Sequence, residues 1–357
     1  MLTVAVLLCA LPVAVRAWPV GTPKISAEAL RARIQASAGQ PFQGYALSTG
    51  SMALPELPRL GQVTAMFSGT TRMRAWYAGR QRWRVDVVDV GSERGIYQAP
   101  DGQYTWDYVA NQLIRVIGDE PVRLPRAADL LPPDLARRLL ATAEGDRVTG
   151  LAGRRVAGIA AAGLRITATE PHTTVRSIDI WADPATGLPL QAEITGRGTA
   201  RPILVTRFLE VSLTTPGPDV LTPPAPRAGI GFTVSRIPDI VSTLNRWDLD
   251  PLPDQMAGQS RRHWPAGIAA VGVYGHGLAQ FVALPLPGRV GYEAYSGAAQ
   301  WGTRLTLPGG EAALISTSLL SVLVVRPVGR RDVYLLAGLV DSTVLQQAGA
   351  DLTEAEP

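Results

Sequence analysis

Three histidines (His172, His263 and His276) and one cysteine (Cys9) are all the soft ligands and thiols this chain has. A structural zinc site needs four Cys or His ligands, and a catalytic one needs three with an open position. Here His172 sits in the turn-like TEPHTT stretch, His263 in a polar connection, and His276 between Gly275 and Gly277. None has a cysteine or carboxylate at ligand spacing, and a single cysteine makes no disulfide framework. The sequences HExxH, G-x-S-x-G and the Walker phosphate loop do not occur. Gly229-Ile230-Gly231 lacks a third glycine and follows a Pro-rich stretch instead of a strand, so it does not read as a dinucleotide loop. No nucleophile has a believable base beside it. The expectation is a binding protein, not an enzyme, with no cofactor and no metal.

Binding chemistry has better candidates. Trp76, Trp83, Tyr97, Tyr104, Trp106, Tyr108, Ile114, Ile178, Ile180 and Phe208 form an aromatic and aliphatic set in the amino-terminal half. Two readings fit it. One is ordinary core packing against a helix. The other is a curved, half-closed sheet whose inner surface is incompletely filled and receives an apolar ligand. Two acyl chains of a dozen or more methylenes would supply on the order of 10 kcal/mol, at roughly 0.8 kcal/mol per CH₂, with no catalytic group involved.

The elements that must position these residues follow from periodicity. Residues 26–38 place Ala27, Leu30 and Ile34 at helical spacing, with Ser26 as N-cap and Gly39 as the stop. From residue 42 to about 118 the period is two. Arg82, Arg84 and Asp86 alternate with Trp83, Val85 and Val87, which predicts one wet and one dry face. Pro100-Asp101-Gly102 reads as a turn, and Tyr104, Trp106 and Tyr108 then share a face. A helix is expected over 129–143, then strands over 148–156, 164–169 and 175–182. The turn DPATGLP at 183–189 leads into strands over 190–194 and 203–213. The result is a long antiparallel meander with helices at the front and in the middle.

The Pro-rich stretch 216–226 ends that pattern and reads as a linker. A short helix over 237–247 and a polar stretch over 252–262 precede a final block. Strands there are expected over 268–274 and 278–284, joined by 275–277, and over 319–326 and 333–339. A last helix starts at Asp341 as N-cap and runs to about residue 352.

Composition sets the class. With 357 residues, 46% of them apolar and 18% charged, the chain can bury cores for two domains. Its 36 Gly and 29 Pro speak for turns and short segments. The net charge of +4 is carried almost wholly by arginine, since Lys24 is the only lysine. Those arginines mostly alternate with apolar residues, which excludes the basic, aromatic-interleaved face of a nucleic-acid binder. Residues 4–15 are an apolar run, too short to span a hydrocarbon core of about 30 Å unaided. Val15-Arg16-Ala17 follows it, so a secretory signal cut after Ala17 is the first reading, with an uncleaved or truncated membrane anchor and a buried core helix as alternatives. Cys9 follows Leu8, not a small residue, and is taken as part of that segment. The location expected is extracytoplasmic: periplasm or cell envelope, secreted or membrane-anchored.

At this point the residues resemble a known family. The helix, the meander with Asp101-Gly102, Trp106 and Tyr108, and the run IDIWADPATGLPLQAEI at 178–194 are similar to the LolA-like superfamily. Within it, the chain looks like the RseB/MucB-type sigma-factor regulatory proteins. VYGHGLAQFVAL at 273–284 resembles that group's strand-turn-strand, with His276 where an acidic residue is usual. VYLLAGLVDSTVLQQAGADL at 333–352 resembles its closing strand and helix. The resemblance implies an α+β, mainly antiparallel fold: a half-barrel wrapped around helices at 18–215, a linker at 216–257, and a smaller α+β domain at 258–357. It implies an apolar cavity for acyl chains of a lipid or lipoprotein, and binding to the extracytoplasmic part of a membrane anti-sigma factor. A LolA/LppX-like carrier of lipids or lipoproteins across the envelope is the alternative.

Overall fold

Side-chain alternation builds the amino-terminal domain as strands. The computed structural model describes residues 25–54, 61–118, 125–236, 249–263 and 270–354. The expected signal segment at 1–17 and the expected helix at 237–247 lie outside the described residues. Eleven strands follow the meander: β1 (Phe42–Gly50), β2 (Thr70–Gly79), β3 (Arg82–Asp89), β4 (Ser92–Ala99), β5 (Gly102–Asp107), β6 (Gln112–Ile117), β7 (Arg147–Val156), β8 (Ile159–Thr167), β9 (Val175–Ala182), β10 (Pro189–Gly196) and β11 (Leu204–Ser212). A twelfth, β12 (Gly231–Arg236), comes from the linker region. They form one sheet in the order β12-β6-β5-β4-β3-β2-β1-β11-β10-β9-β8-β7. All pairings are antiparallel except that of β12, which runs parallel to β6. The sheet stays open, because β12 and β7 do not pair. The fold is α+β, mainly antiparallel, with an open, curved half-barrel sheet in its amino-terminal part.

One face of this sheet packs on helices. Ser26 caps α1 (Ala27–Ala36), its side chain accepting from the Ala29 N–H at 3.2 Å. The helix buries Leu30 and Ile34 and ends in a 3-10 turn (Ser37–Gly39) ahead of Pro41. In α3 (Pro132–Thr142) two prolines occupy the first turn, where a helix has no use for their missing N–H groups. It starts later than residue 129 because a separate 3-10 turn (Ala127–Leu130) precedes it. A third helix, α2 (Gly61–Ser68), packs beside β1 and β2. Leu30, Ile34, Leu140, Met73, Ile178, Ile180 and Phe208 all belong to the resulting core.

The DPATGLP turn shows why its sequence is so particular. The Asp183 carboxylate accepts from the Thr186 N–H at 3.0 Å and from the Thr186 hydroxyl at 2.6 Å. Gly187 holds φ at +76°, and a Cβ there would lie 2.3 Å from the Arg33 carbonyl oxygen of α1. The Arg33 guanidinium in turn donates to the Pro184 carbonyl. So the turn docks on the last turn of α1, and only glycine fits the contact.

The carboxy-terminal domain is a second antiparallel sheet: β13 (Gln255–Met256), β14 (Gln259–His263), β15 (Gly272–His276), β16 (Ala279–Leu286), β17 (Thr303–Leu307), β18 (Gly310–Ser316), β19 (Ser321–Pro327) and β20 (Val333–Gly338). Their order is β13-β14-β15-β16-β20-β19-β18-β17. The helix α5 (Ser342–Glu354) packs with Tyr274, Leu323, Val325 and Leu336 through Leu345, Ala348 and Leu352. On the other face, α4 (Gly288–Trp301) packs Tyr295 and Ala298 against Ala313, Val324 and Val333. Sequence periodicity misses α4. Its glycines each cost about 1 kcal/mol of helix propensity relative to Ala. One of them is structurally required, since a Cβ on Gly291 would come 2.4 Å from the Val333 side chain.

The loop at 170–174 joins the two domains. The Thr173 hydroxyl lies between the carbonyl oxygens of Leu278 (2.8 Å) and Leu339 (2.6 Å). Asp146 accepts from the Thr169 N–H at 2.9 Å and, across the boundary, from the Leu278 N–H at 2.8 Å. His276 closes β15, flanked by Gly275 (φ +80°) and Gly277 (φ +56°), which carry the turn's positive angles in its place. Its Nε2 lies 3.4 Å from the Glu170 carboxylate, a long-range partner that spacing along the chain could not reveal.

Two glycines test the docking of the DPATGLP turn. Gly187→Ala is expected to cost about 2–4 kcal/mol in urea unfolding, combining left-handed strain with a backbone clash. Gly158→Ala, at φ +83° but in open space, is expected to cost only about 1 kcal/mol. Equal losses would remove the clash with α1 from the account.

Candidate functional site

The register splits the ten sequence-nominated residues between the two faces of the sheet. Trp83 pairs across from Tyr77, and the row Val85–Ile96–Thr105–Ile114 runs across β3 to β6 on the same, helix-covered side. Ile178, Ile180 and Phe208 also lie there, fully buried in the helix-packed core. Phe208 meets Phe42 edge-on at 5.5 Å, and Phe42 stacks on Tyr77 at 5.2 Å. Trp76, Tyr97, Tyr104, Trp106 and Tyr108 belong to the opposite, outer side. The expected single aromatic face is therefore corrected to two faces of five residues each.

The outer five make a ladder with arginine. Trp76, Arg84, Tyr97, Tyr104 and Arg115 are successive cross-strand partners over β2 to β6. The Arg84 guanidinium lies 4.9 Å from the ring centres of both Trp76 and Tyr97, within cation–π range. It grips Asp86 with both nitrogens, at 2.8 and 2.6 Å, and donates to the Tyr108 hydroxyl at 2.8 Å. Alternation predicts Arg84 and Asp86 on a wet face. Instead the Asp86 side chain is only 1% exposed.

The linker explains the difference. Its 3-10 turn (Asp219–Leu221) lies beside β3, buries Leu221, and offers the Val220 carbonyl to Arg84 at 3.3 Å. Further on, Ile230 packs against the cluster of Tyr97, Trp106 and Leu113, and β12 adds to β6. The Pro-rich stretch is a strap across the outer face, not a free tether. Gly95 completes the fit, because a Cβ there would stand 2.9 Å from the Asp86 carboxylate and the Tyr97 ring. Burial pushes the Asp86 carboxyl above its ordinary range while Arg84 pulls it back. Burial also pushes the Tyr97 hydroxyl up.

Unfilled space lies elsewhere. A cavity of about 230 Å³ separates the helix-covered face from the segment at 126–138. Its apolar lining includes Phe42, Trp76, Tyr77, Trp83, Val85, Ile96 and Leu131, and its polar lining Arg80, Arg84, Gln103, Arg126, Asp129, Asp134 and Arg138. Asp129 pairs with Arg138 at 2.6 Å, and Asp134 with Arg137 at 3.0 Å. Burial pushes the Asp134 carboxyl up. Of the ten nominated residues only Trp76 and Trp83 border this cavity. Sequence reading missed Phe42, Tyr77, Val85, Ile96 and Leu131, though the period-two parity with Trp83 singles out Val85. The volume falls below the 300–1,000 Å³ of ordinary ligand pockets, too small for two acyl chains in this cavity.

Two other concavities are open to solvent. One of about 620 Å³ lies on the outer face over Gln43, Tyr45, Arg74, Trp76 and Glu210. The other, about 330 Å³, is polar and lies over Arg165, Arg176, Asp179 and Thr195. Among the described residues no group of three or more His, Cys, Asp or Glu is placed to hold a metal. No helix among them is long and apolar enough to cross a membrane.

Removing Arg84 tests the strapped pair. Arg84→Met leaves a buried carboxylate unpaired and is expected to cost about 3–5 kcal/mol near neutral pH. With Arg84 gone nothing opposes the upward push on Asp86, so the folded state binds that proton more readily than the unfolded one. The deficit should therefore shrink as the pH falls through the raised value toward the ordinary carboxylate range. Denaturation midpoints measured against pH check the sign; a deficit independent of pH contradicts it.

No family model and no curated protein matches the sequence. Solved structures do show likeness. A Pseudomonas aeruginosa MucA/MucB complex matches at 17% identity and TM-score 0.49, covering 90% of this chain and 96% of that chain. A structure of MucB matches at 16% identity and TM-score 0.44, again over 90% and 96%. A LolA superfamily protein from Nitrosomonas europaea matches at 14% identity and TM-score 0.25, over 56% of this chain and 98% of its own. These are likenesses of fold alone.

Proposed function

We propose that this chain is a non-catalytic, extracytoplasmic binding protein of the RseB/MucB regulatory type. It holds an acylated or otherwise apolar group in the half-barrel and contacts the outer part of a membrane anti-sigma factor. The observation that carries the ligand half of this reading is the cavity between the sheet and the 126–138 segment. Its lining combines aromatic and aliphatic side chains with six charged ones, so burial of hydrocarbon against the apolar side chains supplies affinity while the charged ones orient a head. The partner half is supported by the sequence resemblance, which spans both domains. Contacts that fasten the domains at Thr173 and at Asp146 suit a partner that touches both, more than they suit a minimal carrier.

Solvent extraction of the purified protein followed by mass spectrometry is expected to release bound lipid, or the delipidated protein is expected to take it up. Trp83→Asp places a carboxylate in the apolar wall and should abolish uptake with the fold intact by circular dichroism. A protein that carries and accepts no lipid overturns the ligand half. Capture with the outer domains of membrane anti-sigma factors should yield a stable complex, whereas a carrier forms none.

A further inference from the structure

The cavity beneath the 126–138 segment also limits what can occupy it, and the following rests on the reading that it is the ligand site. Size comes first. An apolar cavity of about 150 Å³ takes up one benzene, six carbons. By proportion the 230 Å³ here accommodates at most about nine or ten carbon atoms, because part of its lining is polar. That is the end of one chain, not two chains side by side.

Charge comes second. The cavity's lining carries Arg80, Arg84, Arg126 and Arg138 against Asp129 and Asp134, and Arg84 is committed to Asp86. Arg138 is committed to Asp129, and Asp134 to Arg137 outside the lining. Arg80 is exposed and has no carboxylate partner among the described residues. Its charge reaches into the site, where it opposes the upward push of burial on the Tyr77 hydroxyl. A chain entering past Arg80 strips water from a guanidinium, and an anionic head on that chain restores what is lost by a charge-assisted hydrogen bond. A neutral head restores less, and a cationic one is repelled.

We propose that the cavity binds a single-chain anionic amphiphile, with about ten carbons of its chain against Trp83 and Ile96 and its head at Arg80. Titration calorimetry on the delipidated full chain tests this with three probes: decanoate, decanol, and a phosphatidylglycerol with two eight-carbon chains. Decanoate should bind at least tenfold more tightly than decanol, and the two-chain lipid more weakly than either. Arg80→Glu, or the milder Arg80→Gln, should lose about tenfold for decanoate and leave decanol unchanged. Ile96→Trp, which fills the cavity, should block both single-chain probes.

The failures are separable. Equal affinity for decanoate and decanol, or no effect of either Arg80 variant, overturns the anionic head. Tighter binding of the two-chain lipid overturns the single chain. Both leave the cavity as the ligand site. No binding of any probe overturns the ligand reading itself.

Discussion

A mainly antiparallel sheet of twelve strands that does not close has two broad faces and two edges, and water cannot be left against apolar side chains on either face. Coverage of those faces is the constraint from which the rest of this molecule follows. On one side α1, α2 and α3 bring Leu30, Ile34, Met66 and Leu140 onto the sheet. On the other, the linker returns over β3 to β6, buries Leu221 and Ile230 among the aromatics, and ends as β12 along the edge of β6. The strap makes a buried ion pair tolerable: Asp86 is neutralised by Arg84, which stacks between Trp76 and Tyr97 and donates a further hydrogen bond to a linker carbonyl. A small space under the 126–138 segment stays unfilled, and the function proposed uses it.

Much of this fold was legible in the sequence, because period-two alternation is a local property. It gave the strands from β1 to β6 but not the helix α2 that interrupts them, and it gave Trp83 and Val85 on one face and the common face of Tyr104 and Trp106. Ser26 announced the start of α1, and DPATGLP announced a turn whose glycine proves irreplaceable. Parity, however, says only that two residues share a face; it does not say what lies over that face. Arg84 and Asp86 read as wet because charged residues usually are, and nothing local reveals that a Pro-rich stretch more than 130 residues later covers them. For the same reason ten apolar residues looked like one surface when they occupy two. The parallel β12, the helix α4 with its required Gly291, and the His276–Glu170 contact are all decided by tertiary neighbours.

The two domains differ in how they use the same materials. The half-barrel leaves space between its sheet and one helical segment. The smaller domain has helices on both faces, and its buried Tyr274 hydroxyl donates to the Pro253 carbonyl at 2.6 Å, with burial pushing that hydroxyl up to about 12. Between them, Thr173 and Asp146 satisfy backbone groups of both domains with short polar contacts, so a force on one domain reaches the other through hydrogen bonds instead of a slack tether. A partner bridging the domains would meet a preset geometry.

Xenon is the most direct probe of where this protein is hollow, since it enters dry apolar cavities without needing a headgroup or a fitted shape. A crystal held under xenon pressure should show the gas bound between Trp83, Ile96 and Leu131. Xenon among Tyr97, Trp106 and Leu113 beneath the strap, with none beside Trp83, would contradict the account.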